Sequence, residues 1–385
     1  GASNPGSEDE ALEALEDRLT EAVRIRMISD VPLGALLSGG VDSSTVVALM
    51  RRASTGPVKT FSIAFRSAAF NEAEYARAVA RAFETEHHEM TVDPDIWETL
   101  DALTHSLEEP LADSTVVPQF HLSRMARQHV TVALAGDGGD ELFAGYDRYR
   151  THLRRNWANA IPAWLGQSHR SLIDPLLPTG LPGRRLLFNL CLPERDRFLE
   201  SVSYFPARAK SHSLFSDDFL AATAKFASPH EQFRRYYDHA PATDPLSRLL
   251  YLDTKTNLPG DILTKADRMS MAVSLELRAP LLDHVVAEWA AGLPCEWKSR
   301  NGEGKYLLRK LARRLGVPGV ALDRPKRGFT LPLADWMRQD LKNDLPRLLL
   351  EPRTIQRGYW NPRFVERMLD EHYRSRRDHS GAIWL

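Results

Sequence analysis

Six residues, Ser38-Gly39-Gly40-Val41-Asp42-Ser43, lie between an apolar run ending at Leu37 and a stretch with helical periodicity. Small residues at Gly39 and Gly40 keep side chains out of the loop, so consecutive amide N–H groups can converge on an anion. Ser43 and Ser44 add hydroxyl donors. The first turn of the following helix presents unpaired N–H groups and the positive end of its dipole. This is a pyrophosphate cradle without the Gly-Lys-Ser/Thr ending of a Walker loop. In the absence of a loop lysine, Asp42 is expected to ligate a magnesium ion bridging the phosphates, a hard cation that prefers oxygen.

Three further groups could do chemistry. Asp137, Asp140 and Glu141 are crowded among glycines, and so much like charge needs a cation or a proton to relieve it. Alone they could be an acidic turn capping a helix. Beside the Ser38–Ser43 loop they read as completing a metal set of Asp42, Asp140 and Glu141. From Arg300 to Thr330 there are nine Lys/Arg against Glu303 and Asp323. That is either an RNA-binding strip or a helix face on which Lys305, Arg309 and Arg313, spaced by four, point cations at a phosphoryl group. The third group runs from Asp261 through Lys265 and Asp267 to Arg268, followed by Glu276 and Arg278. Asp261, Lys265 and Asp267 are candidates for binding substrate, while Glu276 and Arg278 read equally as a buried structural ion pair. Asp113 and Ser114, in the loop before a helical stretch, are further candidates for holding a substrate.

With these residues in view, the chain resembles a known family. Ser38 to Ser43 matches the PP-loop of ATP pyrophosphatases. Gly136-Asp137-Gly138-Gly139-Asp140-Glu141-Leu142-Phe143-Ala144-Gly145-Tyr146 and Leu275-Glu276-Leu277-Arg278-Ala279-Pro280-Leu281-Leu282-Asp283 are similar to segments in the synthetase domain of glutamine-hydrolysing asparagine synthetases. The resemblance implies ATP and Mg2+ as cofactors. It also implies formation of an acyl-adenylate on a carboxylate, foremost the aspartate side chain, with release of pyrophosphate, followed by attack of ammonia to give the amide and AMP. It makes Lys305 the residue that neutralises the phosphates and the acyl-transfer intermediate, with Arg309 beside it. Asp137 stands where the family carries a glutamate that serves adenylation or takes ammonia's proton. Main-chain contacts to adenine map to Leu37, Ile63, Ala135 and Gly136. Alternatives are a relative acting on another acid or nucleophile, such as a β-lactam or lasso-peptide cyclase or a ligase that amidates another metabolite, a PP-loop tRNA-modifying enzyme, and a nucleotide-binding module without catalysis.

To position these loops the chain needs strands feeding helices. Strands are expected at Gly34–Leu37, Thr60–Phe65, Glu86–Thr91 and Val130–Ala135, with amphipathic helices at Ser43–Arg52, Glu72–Phe83 and Val116–Gln128. The alternation predicts an α/β fold with a doubly wound parallel sheet. Ligands then sit beyond the carboxyl ends of the strands, where both glycine-rich loops fall. Residues 1–9 read as a disordered leader or expression remnant, 10–149 as the ATP-binding domain, 150–245 as a helical insertion, and 246–385 as a helical part completing the active site. Helices are expected there at Pro245–Asn257, Asp261–Met271, Asp283–Ala291 and Lys305–Leu315.

Composition sets the outer bounds. A chain of 385 residues with 43% hydrophobic content buries a sizeable core. The formal net charge of -1 speaks against a general nucleic-acid partner, and no apolar run approaches a membrane span, so a soluble cytoplasmic enzyme is expected. Cys191 and Cys295, the only cysteines, suggest neither a disulfide framework nor a zinc site. No cysteine precedes Cys191, so the cysteine-dependent glutaminase half of the resembled family is expected to be absent. A separate glutaminase domain or subunit and a second copy of the chain are the candidate macromolecular partners.

Overall fold

The computed structural model describes residues 6–65, 72–92, 96–160, 183–205, 214–226, 228–323 and 332–385. Ser7 opens the first helix, α1 (Glu8–Arg26). Its hydroxyl accepts from the Glu10 N–H at 3.2 Å, and Glu8, Asp9 and Glu10 place negative charge at the positive end of the dipole. Residues 6–9 therefore belong to the ordered chain, contrary to the expected leader. Glu8 accepts from Arg300 at 2.8 Å, from the Tyr306 hydroxyl at 3.0 Å and from Lys310.

Strands and helices then alternate: β1 (Leu33–Leu36), α2 (Val41–Ala53), β2 (Lys59–Phe65), α3 (Ala73–Ala82), β3 (Glu86–Val92), α4 (Ile96–Ser106), α5 (Val116–Arg127), β4 (Val132–Leu134) and the short α6 (Gly139–Leu142). After the intervening segment come α7 (Thr264–Met271), β5 (Glu276–Arg278), α8 (His284–Ala291) and α9 (Tyr306–Arg314). The sheet order is β3-β2-β1-β4-β5 with every pairing parallel. β1, β2 and β4 are buried almost throughout, as a parallel sheet covered on both faces requires. One buried cluster joins Ala35, Leu37 and Leu134 to Leu15 and Leu19 of α1, Val46 and Met50 of α2, and Leu307, Leu308 and Leu311 of α9. α5 packs against β2, β3 and α7.

The chain leaves β1 toward β2 on one side and returns as β4 on the other. That reversal is a topological switch point, where the loops beyond β1 and β4 open a crevice.

β5 and α4 were not expected. β5 is three residues long, reads Glu-Leu-Arg, and is held by β4 alone, so it carries no period of its own. The Glu276–Arg278 pair does form, at 2.7 Å, but on this edge strand with Glu276 exposed rather than buried. Arg278 also donates to the Arg26 and Ile28 carbonyls at 2.9 and 2.7 Å, holding the end of α1 against the edge of the sheet.

Two compact units divide the chain: Gly1–Tyr146 with Asp253–Leu331, and Asp147–Leu252 with Pro332–Leu385. Residues 246–385, expected as one part, are thus split between them. The first unit holds the sheet. Among its described residues the second is built of helices, including Asp147–Leu153, Glu194–Val202, Pro229–Asp238 and Pro362–Tyr373. Inside it the buried Arg197 donates to the Leu192 and Arg155 carbonyls at 3.0 and 3.1 Å. No described helix is long and apolar enough to cross a membrane.

Leu308 lies fully buried where α9 meets α1 and α2. Leu308→Ala is expected to cost about 3 kcal/mol in denaturant unfolding. A loss below about 1 kcal/mol would contradict this packing.

Candidate active site

Lys305 ends a two-stranded ribbon (Ser299–Arg300 with Glu303–Gly304) and immediately precedes α9. Its backbone is left-handed, with φ of 60°, and its N–H donates to the Phe143 carbonyl at 2.7 Å. Such a φ is uncommon outside glycine and marks a position its surroundings impose. The residue is 7% exposed. Its ammonium bonds Asp140 Oδ1 at 2.8 Å and also Asp42 Oδ2. One carboxylate comes from the start of α2 and the other from α6, so a residue 263 positions from Asp42 in sequence joins the loops beyond β1 and β4.

Two glycines permit this approach. A methyl at Gly139 would lie 2.5 Å from the Asp42 carboxyl carbon, and one at Gly145 would overlap Asp140 Oδ1 and Lys305 Cε. The Ser38–Ser43 loop is folded on its own polar groups. Ser38 N–H donates to Ser43 Oγ at 3.2 Å, the two hydroxyls are 3.1 Å apart, and Gly40 N–H donates to Ser38 Oγ at 3.3 Å. Leu37 N–H donates to the Phe61 carbonyl and Ala135 N–H to the Arg278 carbonyl, both at 2.8 Å. These extend the ladders one residue past β1 and β4. Ile63 follows Phe61 by two in β2, opposite Met90, and Gly136 packs against the backbone of Asp42 and Ser43. Leu37, Ile63, Ala135 and Gly136 therefore lie at or just past the carboxyl ends of β1, β2 and β4.

The electrostatics follow from this crowding. Burial alone would push the Lys305 ammonium down, but Asp140 and Asp42 outweigh it and hold it above the ordinary lysine value. Burial raises the Asp137 carboxyl to about 6; Lys265 opposes the rise, while Asp42 and Asp140 add to it. Burial also raises Glu141 to about 7, against the hydrogen bond it accepts from the Tyr146 hydroxyl at 2.7 Å, with Asp140 adding to the rise. Glu141, read from sequence as a metal ligand, is thus turned to Tyr146. No group of three His, Cys, Asp or Glu side chains is poised to hold a metal among the described residues. The carboxylates that converge are Asp42 and Asp140.

A second polar knot lies between the start of α5 and α7. Lys265 bonds the Asp113 carboxylate and the Thr115 hydroxyl, the latter at 2.8 Å. Thr115 in turn donates to Asp113 through N–H at 2.9 Å and hydroxyl at 2.7 Å. Burial would raise Asp113, yet Lys265 and Thr115 more than offset it and leave the carboxyl below its ordinary value. The hydroxyl in this knot is that of Thr115, a residue the sequence reading did not single out; the neighbouring Ser114 accepts the Val117 N–H on its carbonyl. Asp-x-Thr ahead of a helix is the turn signal that would have found it. Asp261 lies half-buried in a π-helical turn, Leu258–Leu263, before α7. Asp267 is exposed, 3.8 Å from Arg268. Of the third group, Lys265 lowers the Asp137 carboxyl.

Among the described residues the basic stretch does not form one cationic face. Arg309 Nε donates to the Gly304 carbonyl at 3.2 Å and its Nη1 to the Leu322 carbonyl, so its guanidinium holds the ends of the ribbon and of the 319–322 turn rather than pointing with Lys305. Arg313 pairs with Asp323 at 2.8 Å, Arg314 with Glu16 at 3.1 Å, and Arg300 and Lys310 with Glu8. Acids of α1 neutralise much of what read as an RNA-binding strip; Arg324, Lys326 and Arg327 lie outside the described residues.

A family model described as asparagine synthase matches residues 14–385. The chain is 34% identical over 382 residues to glutamine-hydrolyzing asparagine synthetase 1 of Bacillus subtilis (strain 168), covering 98% of this chain and 58% of that protein. It is 35% identical over 380 residues to a putative glutamine-hydrolyzing asparagine synthetase of Mycobacterium tuberculosis, covering 98% and 56%. A protein of Penicillium rubens named amidase chyE is 26% identical over 395 residues, covering 92% and 58%. The chain spans less than three fifths of the length of these relatives.

Glu141 gives the site a pH signature. Its folded value lies above the ordinary glutamate value of about 4.3, so the native state holds the proton more tightly and stability falls as pH rises between those values. In metal- and nucleotide-free protein, Glu141→Gln should abolish a loss of about 3 kcal/mol between pH 4.5 and pH 7.5. Unfolding curves of parent and variant that stay parallel over this range would contradict the assignment.

Proposed function

The chain belongs to the asparagine synthase family, and on that premise we propose that it is an ATP-dependent ligase that activates the side-chain carboxylate of aspartate as an acyl-adenylate and passes it to ammonia. The observation that carries this reading is the convergence of Lys305 with Asp42 and Asp140 beside the Ser38–Ser43 loop.

A carboxylate acylates poorly because its leaving group would be oxide. In the proposed first step a substrate carboxylate oxygen attacks the α-phosphorus of ATP, the bond to the bridging oxygen of the β-phosphate breaks, and pyrophosphate leaves. Charge grows on the departing phosphates, and the residues suited to meet it are Lys305 and the N–H and hydroxyl groups of Ser38, Gly39, Gly40 and Ser43. Adenine is expected against the main chain of Leu37, Ile63, Ala135 and Gly136. Two carboxylates from different loops, with phosphate oxygens and water to complete the shell, suit Mg2+. Asp42 and Asp140 would hold it, and it would supply Lewis-acid neutralisation of the leaving pyrophosphate.

In the second step the ammonia nitrogen attacks the acyl carbon and AMP leaves. The tetrahedral oxyanion needs a cation, and Lys305 stays protonated throughout. The nitrogen must also lose a proton. Asp137, with a carboxyl raised to about 6, is matched to accept it near neutral pH. Its side chain is shorter than the glutamate of the resembled pattern, and the raised value supports the same role. Asp113, Thr115 and Lys265 are proposed to frame the amino-acid end of the substrate, with Lys265 facing its carboxylate. Arg309 supports the Lys305 turn from behind.

Incubation with ATP, Mg2+, aspartate and ammonia should release AMP, pyrophosphate and asparagine in equal amounts by mass spectrometry. Lys305→Ala should lower kcat by about 10²- to 10³-fold. Release of ADP would overturn adenylation, and pyrophosphate formed with another carboxylic acid but not aspartate would overturn the substrate.

A further inference from the structure

Resting on the reading of Asp42 and Asp140 as the metal pair, we propose that the Lys305 ammonium holds the cation's place in the nucleotide-free protein. The divalent ion is then admitted only together with the triphosphate. The ammonium lies between the two carboxylates with little exposure, 2.8 Å from Asp140 and bonded to Asp42. An ion entering between the same carboxylates would stand within a few ångströms of a fixed positive charge, in surroundings that screen poorly. For the ion to bind, the ammonium must give up at least one carboxylate.

Little freedom exists for it to do so alone. The Lys305 N–H is fixed to Phe143, and Gly145 packs so closely on the side chain that no Cβ fits between them. Withdrawal of the ammonium into this enclosure without a new anion would leave a buried charge uncompensated, an expensive state. A triphosphate on the adjacent Ser38–Ser43 loop changes this balance, because its oxygens give the ammonium replacement partners within reach of the same backbone position. Metal and nucleotide therefore bind with positive coupling, and the coupling passes through one side chain. The consequence is protective as well: the resting site presents no bare carboxylate pair for stray divalent ions.

Mn2+ alone is the probe, followed by electron paramagnetic resonance on nucleotide-free protein. The parent is expected to bind it weakly, and Lys305→Met to bind about tenfold or more tightly. Lys305→Arg, which retains the charge, should match the parent. Adding Asp140→Asn to Lys305→Met should return affinity to the parent's level, which separates this site from surface carboxylates. Should the methionine variant fail to fold, Lys305→Gln, one atom shorter, keeps a polar end without the charge. Equal Mn2+ affinity in the parent and the uncharged variants, whether tight or weak, overturns the proposal. If the parent still converts ATP to AMP and pyrophosphate in that case, the proposed activity stands while this inference falls; absence of pyrophosphate with any acid would instead remove the reading on which it rests.

Discussion

A buried ammonium must be paired, and that requirement organises the sheet-bearing unit. Lys305 finds its partners only when the loop beyond β1 and the loop beyond β4 have reached their final positions, since Asp42 belongs to one and Asp140 to the other. The lysine has its backbone fixed by Phe143 at the far end of α6. Three pieces of chain that are distant in sequence thus share one electrostatic condition. Removal of any one charge leaves the others costly to bury.

The fold supplies what this contact needs. A parallel sheet whose strand order reverses between β1 and β4 creates a crevice with helix starts on its rim. Glycine at 139 and 145 allows the loops to close to van der Waals distance around the carboxylates. The hydrophobic cluster shared by α1, α2 and α9 then fixes where α9 begins, and with it the direction from which Lys305 enters. Packing sets the geometry, and charge makes that geometry chemically useful. Asp137 and Glu141 show the same crowding in another form, since burial raises both carboxyls while Lys265 and Tyr146 temper the effect.

Much of this was legible in the residues. The Ser38–Ser43 loop and the glycine-flanked acids carry local signatures, Lys305 was singled out by the resemblance, and β1 to β4 announce themselves through apolar runs between helical periods. What sequence could not give was orientation. Arg309 sits one turn from Lys305, yet its guanidinium turns to backbone carbonyls because the ribbon and the 319–322 turn leave unpaired acceptors beside it. Lys305, Arg309 and Arg313 share a spacing but no common target. β5 is defined by its neighbour rather than by its own pattern, and Thr115 shows its role only once Lys265, 150 positions away, is brought beside it. Glu8 looked like part of a tail, although the cations it pairs with lie some 300 residues on.

A double-mutant cycle between Lys305 and Asp140 addresses the central contact most directly. Unfolding free energies of the parent, Lys305→Met, Asp140→Asn and the double variant, measured without metal or nucleotide, give the coupling between the two side chains. The account predicts a favourable coupling of about 2 kcal/mol or more. Losses that simply add would mean that the ammonium and the carboxylate do not depend on each other, and the site described here would not be the one the protein holds in solution.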